Sequence, residues 1–132
     1  MSFLIDTDTA SAHLRGLRNV TSRFLQYTGR LHISTVSLAE LKSWVYRKKT
    51  PAKYRRGLVD MLHDFQTLDV DEAVAEKSGE VGAGLMDQGI SVATPDLLIG
   101  ATALVHDLTV VTHNVQDFGI IPGLRVADWL QP

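Results

Sequence analysis

Short apolar runs, each followed by a longer stretch of helical periodicity, recur from one end of the chain to the other. Phe3-Leu4-Ile5 is closed by Asp6-Thr7-Asp8-Thr9 and reads as a buried strand leading into a helix start. A helical stretch follows over roughly residues 8–28, broken between Gly16 and Asn19. Leu31–Ser34 is a second strand, followed by a helix over 36–48 in which Leu38, Leu41 and Val45 share a face. Pro51 suits a first helical turn, and Leu58, Met61, Leu62 and Phe65 supply the apolar face of the next helix. Leu68-Asp69-Val70 predicts a third strand, and a long helix through Val74, Ser78, Val81 and Leu85 ends near Gly89. Thr94-Pro95-Asp96 opens another helix, Leu108–Thr112 is the clearest strand, and Arg125-Val126 is a weak last one. Strands separated by helices join a sheet in parallel, because each crossover carries the chain to the opposite edge, where the previous strand began. The expectation is an α/β fold of three layers with a parallel sheet of about five strands, one domain over residues 1–132.

In such sheets ligands sit outside the carboxyl ends of the strands. Asp6 follows strand one directly, Glu40 is expected in the first turn after strand two, Asp96 opens the helix leading to the strong late strand, and Asp117 lies five residues beyond Thr112. Each has a structural explanation. Asp6 or Asp8 can cap a helix, Ser37-Leu-Ala-Glu40 matches a capping box, Asp96 complements a helix dipole, and Asn114-Val-Gln-Asp117 reads as a cap with a first-turn acid. Together they carry a larger cost. Two like charges ~7 Å apart repel by roughly 2 kcal/mol at an effective dielectric of 20, so four converging carboxylates cost on the order of 10 kcal/mol. That rivals the stability of a small domain, so such a cluster needs raised pKa values, basic partners or bound cations. Oxygen-only ligands favour Mg²⁺ or Mn²⁺, which can activate water at a phosphate.

Composition removes other chemistries. There is no cysteine, hence no disulfide framework, thiolate metal site or thiol nucleophile. No apolar run is long enough to span a bilayer, and the N-terminus lacks a signal-peptide pattern, so a cytoplasmic protein is expected. The net charge of −2 hides an asymmetry: residues 1–59 hold 11 of the 13 Lys and Arg but only three acids. Between Leu41 and Val59 there is no acid, while Lys42, Arg47, Lys48, Lys49, Lys53, Arg55 and Arg56 all fall there. A basic segment of this density attracts a phosphate backbone, unless it is a solvated face balanced by the acidic half.

The segments Phe-Leu-Ile-Asp6-Thr, Ser-Leu-Ala-Glu40-Leu, Pro-Asp96-Leu-Leu-Ile-Gly-Ala-Thr-Ala and Val-Val-Thr-His-Asn114-Val-Gln-Asp117-Phe, with the tail ending at Trp129, resemble the PIN-domain ribonucleases, and among them the VapC toxins of toxin–antitoxin pairs. The resemblance spans the chain with its motifs in order. It implies an Mg²⁺-dependent endoribonuclease with Asp6, Glu40, Asp96 and Asp117 as catalytic acids. Asp6, Asp96 and Asp117 would hold metal, Glu40 would complete the shell or orient water, and Asn114 would support the metal. It also implies an antitoxin partner that lays an amphipathic helix in a groove, here near Trp44, and a homodimer. Lys48, Lys49, Arg55 and Arg56 are the candidates for steering RNA. Two departures stand out: Asp8 where relatives often have Asn, and His113 where many have Arg. The remaining histidines, His13, His32, His63 and His106, show no ligand spacing and read as surface or core residues.

Other readings compete. Asp6-Thr7-Asp8 is similar to the start of haloacid-dehalogenase-type phosphatases, but Ala10 and the lack of a later Gly-Asp-x-x-x-Asp element argue against them. A receiver domain would need a lysine after the late strand. The glycines at 79, 82, 84 and 89 do not form a dinucleotide loop. A non-catalytic binding module on the same scaffold is the alternative of a different class.

Overall fold

A computed structural model describes residues 1–131. Five short strands, β1 (Phe3–Ile5), β2 (Leu31–Ser34), β3 (Gln66–Leu68), β4 (Thr109–Val111) and β5 (Val126–Ala127), form one sheet in the order β3-β2-β1-β4-β5. Every pairing is parallel, with Phe3 opposite both Leu31 and Thr109. Seven helices connect them: α1 (Thr7–Leu14), α2 (Arg18–Gln26), α3 (Thr35–Val45), α4 (Ala52–His63), α5 (Glu72–Asp87), α6 (Thr94–His106) and α7 (Val115–Gly119).

The period-2 alternation of β1 and β4 decides the layers. Phe3, Ile5 and Val111 face one core with Ala10, Val20, Phe24, Leu41, Val45, Leu58 and Met61 from α1 to α4. Leu4 and Val110 face the other core with Ile99 and Ala103 from α6, Phe118 from α7 and Ile121 just beyond it. Helix α5 packs outside α6, so closely at Gly82 that an added Cβ would stand 2.9 Å from Leu97 Cδ2. Trp129, buried after β5, closes the first core by stacking on Tyr27 and meeting Phe3 edge-on.

The expected break between the first two helices falls at Gly16, whose φ of +87° suits glycine in a way no L side chain matches cheaply. The third strand differs from its expected span of 68–70. Backbone pairing to β2 (His32 with Gln66, Ser34 with Leu68) places it two residues earlier, and exposed Asp69 and Val70 lead on to the α5 cap at Asp71. As an edge strand of Gln-Thr-Leu it is selected by the ladder it joins, not by its own apolar content. The last strand lies at Val126–Ala127, one residue later than expected.

The strand order reverses around β1. The chain leaves β1 toward β2 and β3 on one side and returns to β4 and β5 on the other. A crevice outside the carboxyl ends of β1 and β4 is the consequence, and such a switch point is where open α/β sheets bind ligands.

Candidate active site

The crevice is built around Asp6, the first residue past β1. Its backbone N–H donates to Val111 O at 2.9 Å, which ties it to β4. As N-cap of α1 its carboxylate accepts from Thr7 N–H at 2.7 Å, and Thr112 Oγ1 donates to its other oxygen at 2.8 Å. Asp6 is only 7% exposed, so it forms the floor of the site. Asp8, in the first turn of α1, stands beside it. Its Oδ2 accepts from His113 N–H at 3.0 Å and lies 3.4 Å from Thr112 Oγ1. The threonine has one proton to give, and the shorter contact to Asp6 takes it.

The walls come from other elements. Glu40 on α3 accepts a 2.6 Å hydrogen bond from Thr7 Oγ1, which joins α3 to the start of α1. Asp96 sits half-buried in the first turn of α6. Asp117, exposed on α7, accepts from Asn114 Nδ2 at 2.9 Å. Asn114 N–H in turn donates to Thr112 Oγ1 at 3.0 Å, so one threonine hydroxyl links the floor to the rim.

The acids act on one another electrostatically. Burial, then the charge of Asp8, raises the Asp6 pKa from 3.8 to about 7; hydrogen bonds from Thr112 and Thr7 offset part of the rise, and Asp96 adds to it. Asp96 is also raised, first by burial and then by Asp117, Glu40 and Asp8. Five carboxylates from four segments of the chain thus share one field. No Lys or Arg forms an ion pair with any of them among the described residues.

All the donors of the cluster are hard oxygens, and their mutual repulsion is what a dication relieves. Among the described residues no three acids or histidines enclose a cation by themselves. An ion held there would take water or substrate oxygens to complete its shell.

All four expected acids, with Asn114, therefore reach the same edge of the sheet, but two local expectations are corrected. Glu40 lies in the second turn of α3, not the first, and there is no capping box. Ser34 is the N-cap and accepts from Val36 N–H, because β2 runs straight into the helix; Ser37 is buried instead. Freed from capping, Glu40 turns toward Thr7. Asn114 occupies the N-cap position of α7, but its side chain bonds Asp117 and makes no cap hydrogen bond. Thr7 and Thr112 are functional-site residues that sequence reasoning passed over. Their signal was position, one directly after Asp6 and the other directly after β4. Asp128 was missed as well: its Oδ2 pairs with His113 Nδ1 at 2.9 Å and its Oδ1 accepts from Leu130 N–H. His13 is a core-edge residue, bonded to Thr21 and stacked on Phe24.

Residues 3–122 match the family model described as "PIN domain". The chain is 29% identical over 130 residues, 98% of each chain, to "tRNA(fMet)-specific endonuclease VapC" of Salmonella typhimurium. It is 31% identical over 131 residues, 96% of this chain and 95% of the other, to "Ribonuclease VapC1" of Rickettsia felis. The structure "Crystal structure of DNA bound VapBC from Salmonella typhimurium" superposes with a TM-score of 0.90 at 29% identity, covering 98% of both chains.

Proposed function

The chain belongs to the PIN-domain family and, within it, to the VapC proteins; from that membership and the acid pocket we propose that it is a divalent-metal-dependent endoribonuclease, the cytoplasmic toxin of a toxin–antitoxin pair. The observation that carries the reading is the buried Asp6 at the switch point, its carboxyl raised to about 7 amid four further acids with no lysine or arginine paired to them among the described residues.

Asp6, Asp96 and Asp117 are the proposed holders of Mg²⁺ or Mn²⁺. When bound, such an ion neutralises charge on a scissile phosphate and lowers the pKa of a water. The protein's own residues supply the order. Thr7 N–H and Thr112 Oγ1 fix both oxygens of Asp6, so the carboxylate does not rotate. Asn114 holds Asp117 at the rim. Glu40, exposed and steadied by Thr7, is the proposed acceptor that orients water. Lys48, Lys49, Arg55 and Arg56, all exposed, are the proposed steering charges. The antitoxin and a homodimer are proposed partners on the strength of family membership. No helix among the described residues is long and apolar enough to cross a membrane.

The test is cleavage of bulk RNA and of initiator tRNA with Mg²⁺ or with EDTA. The tRNA is included because the Salmonella relative is named for it. Wild type is expected to cut only with metal, and Asp96→Asn is expected to lose at least about a hundredfold in rate while keeping its far-UV CD spectrum. Metal-independent cutting, or an Asp96→Asn variant at wild-type rate, would overturn the assignment. No cutting of any RNA would return the chain to a binding module.

A further inference from the structure

The end of α3, the turn after it and the start of α4 carry an arrangement that the acid site does not use. Tyr46, the C-cap of α3, is 56% exposed. Arg55 Cζ lies 4.9 Å from the centre of its ring and Lys42 Nζ lies 5.8 Å from it. Beside it, Trp44 and Tyr54 meet with ring centres 5.0 Å apart. Arg15 lies 4.9 Å over Trp44 and Lys53 lies 5.1 Å over Tyr54. Four cations are thus gathered on three aromatic rings. None of them forms an ion pair among the described residues, and the sequence supplies no acid between Leu41 and Val59. Lys48 and Lys49 are exposed in the turn between α3 and α4. Their turn is tied down by Thr50, whose Oγ1 donates to Trp44 O at 2.8 Å and whose N–H donates to Arg47 O at 3.1 Å.

We propose that this face is a docking surface for single-stranded RNA, with a base stacked on Tyr46 and the neighbouring phosphates held by Lys42, Arg55 and the turn lysines. An acidic peptide would satisfy the cations but leave the exposed ring without a partner. A duplex would satisfy the cations but keeps its bases stacked inside. A single strand offers phosphates and aromatic faces in alternation, which is what the surface offers in return. On binding, each cation exchanges a ring contact for a phosphate, and the vacated ring face receives the base. The position also fits. Glu40 lies six residues before the C-cap Tyr46, about 9 Å along the α3 axis at ~1.5 Å per residue and about a third of a turn around it at ~3.6 residues per turn, a path of a few nucleotides. The surface would therefore hold RNA flanking the bond presented to the acids, and the inference rests on the ribonuclease reading above.

The test uses the full chain with Asp96→Asn, in EDTA, binding a fluorescein-labelled ten-nucleotide RNA followed by anisotropy at several salt concentrations. Adding Tyr46→Ala is expected to weaken binding by about tenfold with the salt slope unchanged, while Tyr46→Phe keeps the affinity. Adding Lys42→Gln with Arg55→Gln is expected to flatten the slope by about 1.4, at ~0.7 per phosphate contact. Binding within twofold for Tyr46→Ala would overturn the proposal, as would equal loss for Tyr46→Phe. Polyglutamate competing as well as RNA, charge for charge, would also overturn it and point to an acidic protein. Wild-type cleavage with Mg²⁺, run in parallel, separates the two readings. Cleavage without a Tyr46 effect sinks only this surface, whereas no cleavage sinks the ribonuclease assignment.

Discussion

Asp6→Asn isolates the electrostatic cost of building the pocket. The folded pKa of about 7 stands about 3 units above the 3.8 of a free carboxyl, which amounts to about 4 kcal/mol at ~1.36 kcal/mol per unit. Because the folded value is the higher one, the folded chain keeps a proton through this window that the unfolded chain has released. Stability of the metal-free protein therefore falls as pH rises from 3.8 to about 7, and the full cost is present above that. Asparagine removes the charge, but it has one carbonyl oxygen to serve both Thr7 N–H and Thr112 Oγ1, a loss of about 1–2 kcal/mol. The net gain at pH 8 is about 2 kcal/mol, or about 8 °C in Tm at ~4 °C per kcal/mol for a domain of this size. At pH 4.5 wild-type Asp6 is largely neutral already, so the variant is expected to melt at or below the wild-type temperature. Thermal melts in EDTA at the two pH values measure this directly. An equal shift at both, or a lower Tm for the variant at pH 8, would refute the reasoning.

Mg²⁺ at millimolar concentration is expected to raise the wild-type Tm at pH 7.5 and to do far less at pH 4.5, while NaCl of matched ionic strength has no such effect; calorimetry with both salts checks it. Gly100→Ala puts a Cβ 2.7 Å from Cδ1 of Ile121, which is 2% exposed. Overpacking of ~1–3 kcal/mol set against ~1 kcal/mol of helix propensity predicts a net loss of about 1 kcal/mol in urea unfolding. Neutralising Lys48, Lys49, Arg55 and Arg56 together is expected to lower the salt slope of RNA binding by about 3, with kcat at saturating RNA little changed. A slope equal to that of wild type would make them a plain solvated face.

Patterns of period decided what could be read in advance. Phe3–Ile5 and Thr109–Val111 are fully buried strands whose apolar runs have no other explanation, and the acids behind them mark the crevice. Gln66–Leu68 carried no such signal, because an edge strand needs only a neighbour's backbone. Glu40 was placed correctly on α3 but in the wrong turn, since Ser34 and Ser37 are equally good caps by type and only the uninterrupted passage from β2 selects the first. The hydroxyls of Thr7 and Thr112 were invisible for a different reason. The Thr112 hydroxyl reaches Asp6 through a pairing of β1 with β4 that joins residues over a hundred positions apart, the Thr7 hydroxyl reaches Glu40 across 33 positions, and beyond their places after β4 and Asp6 no local pattern records either contact.

That same separation has a consequence for the order in which the pocket is assembled. Asp6 is made long before Thr112, whose hydroxyl holds its second oxygen, and before the rim acid Asp117. The central strand meets β2 early and must wait for β4, which lies beyond α6. A nascent chain halted anywhere before Thr112 holds the Asp6 carboxylate by Thr7 N–H alone, at the end of a half-built sheet. Closure of the β1–β4 ladder is thus the step that completes the pocket, and it waits until β4 has been made. A pocket whose floor is made long before its rim carries in its strand order a delay between synthesis and completion.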